Sequence, residues 1–158
     1  MPSAGHLPVG LHLTLPMDTK QTLVFPGRFD SLAAIREFIT RAAEAAGLDE
    51  RAIYAVQMAV DEACTNIIEH AYGGEGRGDI EITWRTSTDR LTVILRDYGR
   101  PFDPTGVPPP DLRASLEDRN ARGLGLYFMR RLMDEVEFEF TPDSGNVLTM
   151  VKYKEAAP

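Results

Sequence analysis

The chain has 158 residues, 43% of them hydrophobic and 26% charged, with a formal net charge of −7. That length predicts one domain with a real core, and the acidity argues against holding nucleic acid through its phosphates; it suits a basic protein partner or a ligand whose charge is met locally. The single Cys64 excludes an internal disulfide and a cysteine zinc site, and with no membrane-length apolar run and no basic-then-apolar leader, a soluble, reducing, cytoplasmic setting is expected.

Residues 1–18 read as a tail, or as an added edge strand through the alternation Leu11-His12-Leu13-Thr14-Leu15. Lys20 to Phe25 predicts a strand stopped by Pro26-Gly27. Asp30 or Ser31 is placed to cap a helix whose apolar face is Leu32, Ile35, Ile39, Ala42 and Ala46, with Gly47 ending it. Asp49 caps a second helix that runs to about Tyr72, followed by the turn Gly73-Gly74-Glu75-Gly76-Arg77-Gly78. Ile80–Trp84 and Leu91–Leu95 both alternate and predict an antiparallel hairpin with Asp89-Arg90 in its connection. From Asp97 to about Arg122 the chain is proline-rich and irregular, a long loop of the functional or mobile kind. Gly123-Leu124-Gly125 then opens a helix, and Val136–Phe140 with Asn146–Tyr153 forms a closing hairpin. Adjacent strands with segregated helices predict an α+β, two-layer fold: a mixed, mostly antiparallel sheet with helices on one face. The expected domain is 19–154, with a short C-terminal tail at 155–158.

The second helix carries the first unusual residues. With Glu62 set at zero, Asn66 falls near 40° and Glu69 near −20°, while Ile53, Val56, Val60, Ala63, Ile67 and Ala71 fall between about 100° and 180°. A carboxylate and a carboxamide therefore sit one turn apart on an arc separate from the core. A carboxylate accepts a proton or positions a hydroxyl, and an amide oxygen ligates a hard cation such as Mg²⁺. The competing reading is an ordinary solvated face. Asp97-Tyr98-Gly99 ends the Leu91 strand: an Asp there can accept from an exocyclic amine, and Gly99 lets backbone approach a flat ring, although a capped strand end explains it too. Arg122-Gly123-Leu124-Gly125 at a loop-to-helix junction offers N–H groups at a positive helix end, which suits phosphate. It is neither a dinucleotide fingerprint nor a Walker A lysine motif. Thr149, on the last strand, is a candidate partner for a base or a bridging water.

Glu62-x-x-x-Asn66, Asp97-x-Gly99, Gly123-x-Gly125 and a late Thr149, in that order, resemble the ATP-binding superfamily of DNA gyrase, heat-shock chaperone ATPases, sensor histidine kinases and mismatch-repair ATPases. Within it, Glu62-Ala63-Cys64-Thr65-Asn66 with His70 and Tyr72, Asp97-Tyr98-Gly99 with Phe102-Asp103-Pro104, and Gly123-Leu124-Gly125-Leu126 resemble the small bacterial anti-sigma-factor serine kinases over about residues 20–153. The resemblance implies a Bergerat-type ATP-binding fold with ATP and Mg²⁺ as cofactors. It implies Asn66 as the Mg²⁺ ligand and Glu62 as general base or orienting group. Asp97 would accept from the adenine amino group, with Gly99, Phe102 and Thr149 around it. Gly123, Leu124 and Gly125 would cradle phosphate, and Arg119 or Arg122 would supply a cation. Residues 100–122 would form the lid. Pro101, where many relatives have a second glycine, stiffens the turn after Asp97, and Pro108-Pro109-Pro110 hinders regular structure in the lid. Glu69 and His70 are given no chemistry.

The function implied is a protein serine/threonine kinase that sequesters a sigma factor and phosphorylates an anti-anti-sigma antagonist, with a homodimer through the first strand and helix. The alternative is a nucleotide-responsive binding module without phosphoryl transfer; a detached histidine-kinase catalytic domain ranks below both.

Overall fold

The computed structural model describes residues 19–106 and 121–155. The 1–18 segment, most of the expected lid and the last three residues lie outside that set.

Among the described residues, three α-helices cover one face of a five-stranded sheet. Strand β1 (Thr19–Pro26) leads through a 3₁₀ turn at Phe29–Ser31 into α1 (Leu32–Ala45) and then α2 (Glu50–Asn66). Strands β2 (Asp79–Thr86) and β3 (Arg90–Asp97) form the expected hairpin. Helix α3 (Ala121–Leu132) precedes the closing hairpin of β4 (Glu135–Thr141) and β5 (Gly145–Tyr153). The spatial order is β1-β2-β3-β5-β4. Every pairing is antiparallel, so the sheet has no parallel pair where a mixed one was expected.

Strand alternation sorts the sheet into two faces. Ile80, Ile82 and Trp84 of β2, Leu91, Val93 and Leu95 of β3, and Leu148 and Met150 of β5 point into one core under the helices. The intervening residues, among them Thr83, Ile94 and Thr149, occupy the other face, where the Thr22 and Thr83 hydroxyls share a hydrogen bond of 2.7 Å. Helix α2 lies between α1 and α3. Its buried side is Val56, Ala59, Val60, Ala63 and Cys64, so Cys64 is the packing residue its type predicts, and burial pushes its thiol pKa up.

Asp49 caps α2 as expected: its Oδ1 accepts from the Ala52 N–H at 2.8 Å. The start of α1 differs. Neither Asp30 nor Ser31 caps it through a side chain, because the 3₁₀ turn supplies the entry geometry. The Ser31 hydroxyl instead donates to the Pro26 carbonyl at 2.8 Å, tying α1 to the end of β1.

Ile82 and Ile94 lie on neighbouring strands and opposite faces, which makes them a matched test of where the core is. Ile82 is fully buried. Ile82→Ala is expected to cost about 2–5 kcal/mol in urea denaturation, and Ile94→Ala distinctly less; equal losses would mean that the outer face is also packed.

Candidate functional site

Helix α2 stays α-helical through Asn66 and then widens into a π turn, Ile67–Ala71. The Tyr72 N–H reaches back five residues to the Ile67 carbonyl at 2.9 Å. Such single wide turns are uncommon and recur at functional sites. Glu62 and Asn66 both face α3 where Gly125 passes. A Cβ at Gly125 would stand 3.1 Å from the Asn66 Nδ2 and 3.2 Å from the Glu62 Oε2. Any side chain there would press on the ends of both, which would have to give by a few tenths of an ångström. Leu126 and Met129, both buried, seat α3 there.

The glycines sit deeper than expected. Helix α3 is already formed at Ala121, the first residue described there, so Gly123 lies within the helix rather than opening it, and Gly125, two residues on, supplies clearance. The Arg122 and Leu124 side chains, and Arg119, fall outside the described set. Burial pushes the Glu62 pKa up, and the negative charges of Asp61 and Glu69 push it further. Asp61 itself turns toward α1, where it pairs with Arg36.

Asp97 is the last residue of β3 and lies opposite Asn146 on β5. It is only 4% exposed. Its Oδ1 accepts from the Gly99 N–H at 2.9 Å and from the Asn146 Nδ2 at 2.9 Å. Burial raises its pKa and these two hydrogen bonds oppose the rise without cancelling it. The fold itself supplies a reason for Gly99, beside the one its motif offers. A Cβ there would fall 2.5 Å from the carbonyl carbon and oxygen of Ala71, so in this fold the glycine admits the end of helix α2. The Arg100 N–H donates to the Ala71 carbonyl at 2.8 Å, and its guanidinium donates to the His70 carbonyl at 3.0 Å. Tyr72 adds a third tie: its hydroxyl donates to the Asp79 carbonyl at 2.6 Å and accepts from the Tyr98 N–H at 3.0 Å.

Between these two groups lies a cavity whose polar lining includes Asn66, Asp97 and Asn146, and whose walls include Ala63, Leu126, Met129, Phe102 and Phe138. Phe102 and Phe138 pack as a tilted aromatic pair with ring centroids 4.9 Å apart. The structure thus brings Asn66, Asp97 and Phe102 around one cavity and sets Gly125 and Glu62 against Asn66. It does not bring Thr149 there: Thr149 pairs with Ile94 and Glu137 on the outer face of the sheet, one residue out of step with Asn146 and Leu148. Asn146 is the β5 residue at the cavity. Its signal in the sequence was weak, because only the β3–β5 register, which sets it opposite Asp97, singles it out. Phe138 was likewise read as a strand residue and nothing more.

No group of three His, Cys, Asp or Glu side chains able to hold a metal exists among the described residues. Asp97, Glu139 and Asn146 lie in the cavity lining with Asn66, and the Glu62 carboxylate sits beside Asn66 against Gly125; the Asn66 amide and the Glu62 carboxylate are both hard oxygen donors. That set fits a cation such as Mg²⁺, which keeps most of its shell as water and ligand phosphate. No helix among the described residues is long and apolar enough to cross a membrane.

Comparison with known proteins bears on the family and the fold. Residues 25–152 match the family described as Histidine kinase-like ATPase domain. The Serine-protein kinase RsbW of Bacillus licheniformis is 33% identical over 132 residues, 81% of each chain. That of Halalkalibacterium halodurans is 33% identical over 135 residues, 83% of this chain and 81% of its own. A crystal structure of the RsbU and RsbW domains of Rv1364c from Mycobacterium tuberculosis superposes on 87% of this chain with a TM-score of 0.60 and 16% identity. This chain spans 33% of that one, and at such low identity the likeness speaks for the fold alone. The chain belongs to the Histidine kinase-like ATPase domain family and, within it, to the serine-protein kinases of the RsbW type, the anti-sigma-factor kinases that its motifs resemble.

Proposed function

We propose that this protein is a Mg·ATP-dependent serine/threonine kinase acting in a partner switch: it phosphorylates an anti-anti-sigma antagonist and sequesters a sigma factor. The observation that carries the reading is the approach of Gly125 to both Glu62 and Asn66, which joins the first turns of α3 to the carboxylate–carboxamide pair. Phosphoryl transfer asks mainly for positioning and charge neutralisation. Bound Mg²⁺ would supply charge neutralisation at the phosphates. In this reading the Asn66 oxygen holds the cation, and Glu62 accepts the proton of the attacking hydroxyl or orients it. Asp97 accepts from the adenine amino group, with Phe102 and Phe138 walling the base. The N–H groups at the start of α3, Gly123 among them, receive phosphate, with Arg122 as the nearby cation and Gly125 as clearance. Homodimerisation and a cytoplasmic site of action belong to the same proposal.

The direct test mixes the protein with labelled ATP, Mg²⁺ and the cognate antagonist. Glu62→Ala is expected to lower label transfer by about 10²–10⁴-fold with nucleotide binding retained. Undiminished transfer would remove Glu62 from its role. Binding of the partner that depends on ATP, with no label transferred by the unmodified protein, would favour a nucleotide-responsive binding module.

The elevated Glu62 pKa gives a pH signature. A base must be ionised, so transfer rises with pH through the folded-state pKa of Glu62. Glu69 is one cause of that elevation. Glu69→Gln should therefore move the acid limb of the pH–rate profile to lower pH; an unmoved limb would mean that another group limits the rate.

Asp97 predicts a split between stability and binding. Its folded pKa lies above its unfolded value, so the native state holds the proton more tightly and stability falls as pH rises through that window. At neutral pH the buried carboxylate is a cost. Asp97→Asn keeps an oxygen for Gly99 and Asn146 but turns an N–H₂ toward the cavity. The melting temperature at pH 7 should hold or rise while ATP affinity drops by about 10–100-fold, the loss expected for one mismatched polar contact. Unchanged affinity would place adenine elsewhere.

A further inference from the structure

Asn146 spends its whole side chain on the segment that follows Asp97. Its Nδ2 donates to the Asp97 Oδ1 at 2.9 Å and to the Arg100 carbonyl at 2.9 Å, with the Gly99 carbonyl at 3.4 Å. Its Oδ1 accepts from the Phe102 N–H at 3.1 Å. A carboxamide has two N–H bonds and one carbonyl oxygen, and here all three are engaged within residues 97–102. The residue is 9% exposed, so water competes poorly for these contacts.

The consequence for Asp97 is directional. Both hydrogen bonds to its carboxylate, from Gly99 and from Asn146, land on Oδ1. Among the described residues none reaches Oδ2, and Asp97 lines the cavity. One oxygen is anchored to protein and the other is presented as a lone acceptor. The same amide fixes the backbone of Phe102, whose ring lies against Phe138 in the cavity wall. One side chain, on β5, thus fixes both Asp97 at the end of β3 and Phe102 in the segment that follows it.

We propose that Asn146 is a positioning residue for the nucleotide: it holds the Asp97 carboxylate so that a single oxygen meets the exocyclic amine of adenine, and it sets Phe102 beside the ring. This rests on the kinase reading above. Its effect falls on base selection and affinity, because Glu62 and Asn66 are organised separately, against Gly125. Without Asn146 the carboxylate is free to rotate, and a purine carrying an oxo group in place of the amine is rejected less strongly.

The test measures ATP and GTP binding, and transfer at saturating ATP, for the unmodified protein, Asn146→Leu and Asn146→Asp. The Leu variant removes every polar contact. The Asp variant keeps an acceptor for Phe102 but removes the donor to Asp97 and adds a second carboxylate beside it. Both should bind ATP at least tenfold more weakly at pH 7.5 and show a reduced ATP-over-GTP ratio, with saturated transfer within about threefold of normal. Asn146→Asp should recover both affinity and the ATP-over-GTP ratio at pH 5.5, where a proton is shared between the two carboxylates and the donor to Asp97 is restored; recovered affinity without recovered base preference would mean relief of charge repulsion alone and would overturn the positioning role. Should Asn146→Leu fail to fold, the Asp variant decides alone. ATP affinity and base preference untouched in a folded variant would overturn the inference while leaving the kinase reading intact. An unmodified protein that binds no ATP would instead sink the kinase reading and this inference with it.

Discussion

The seam between the end of β3 and the end of α2 is the constraint on which the rest of the site depends. It is a backbone-to-backbone contact, the Arg100 N–H on the Ala71 carbonyl, made possible because Gly99 has no Cβ to strike Ala71. Helix ends leave carbonyls without intrahelical donors. Here those carbonyls are served by Arg100, through both its N–H and its guanidinium, and the π turn sets where they point. The result joins the residue that closes the sheet, Asp97, to the helix that carries Glu62 and Asn66. Neither layer could slide against the other without breaking this seam and the Tyr72 bridge beside it.

Electrostatics adds a second layer. Two carboxylates of the site, Glu62 and Asp97, are held above their ordinary pKa mainly by burial. Burial of a charge is unfavourable unless something compensates it. Around Asp97 the protein compensates in part, with two donors on one oxygen. Around Glu62 the nearest charges, Asp61 and Glu69, make matters worse. A chain of net charge −7 that gathers carboxylates in this way is arranged to receive positive charge or hydrogen-bond donors from outside. In the proposed function, Mg²⁺ beside Asn66 and an adenine amine beside Asp97 would be ligands of that kind.

Most of the fold was legible because its signals are local. The capping Asp49, the β2–β3 alternation and the apolar stripe of α2 each declare themselves within a dozen residues, and each is found where its pattern put it. What was not legible depends on register between distant segments. Thr149 looked like a pocket residue because a Thr late in the chain fits the motif order. A strand's side chains alternate, however, and only the pairing of Asp97 with Asn146 fixes which parity faces inward. The same pairing would have identified Asn146. The motif of Gly99 offers clearance for a ring, but the neighbour that the fold sets against it, Ala71, lies 28 residues away in sequence and in another element. The helix cap at Asp30 or Ser31 failed for a smaller reason: a 3₁₀ entry competes with a side-chain cap and leaves no mark in residue types.

The placement of the two glycines of the phosphate motif carries a mechanistic point. A glycine at a helix start is usually explained by backbone N–H groups exposed to an anion. Gly123, nearer the N-terminal end of the described part of α3, is the better placed of the two for that account. The Gly125 N–H has the Ala121 carbonyl available as an intrahelical partner, so anion binding alone does not require a glycine there. Its advantage is room beside Asn66 and Glu62, whose side-chain ends a Cβ would press at 3.1 and 3.2 Å. On the kinase reading the motif would serve two demands at once, N–H groups for an anion and bare backbone beside the Glu62–Asn66 pair. That closeness would set the distance between α3 and the carboxylate on α2, and in a transfer reaction such a distance positions donor phosphate against acceptor hydroxyl.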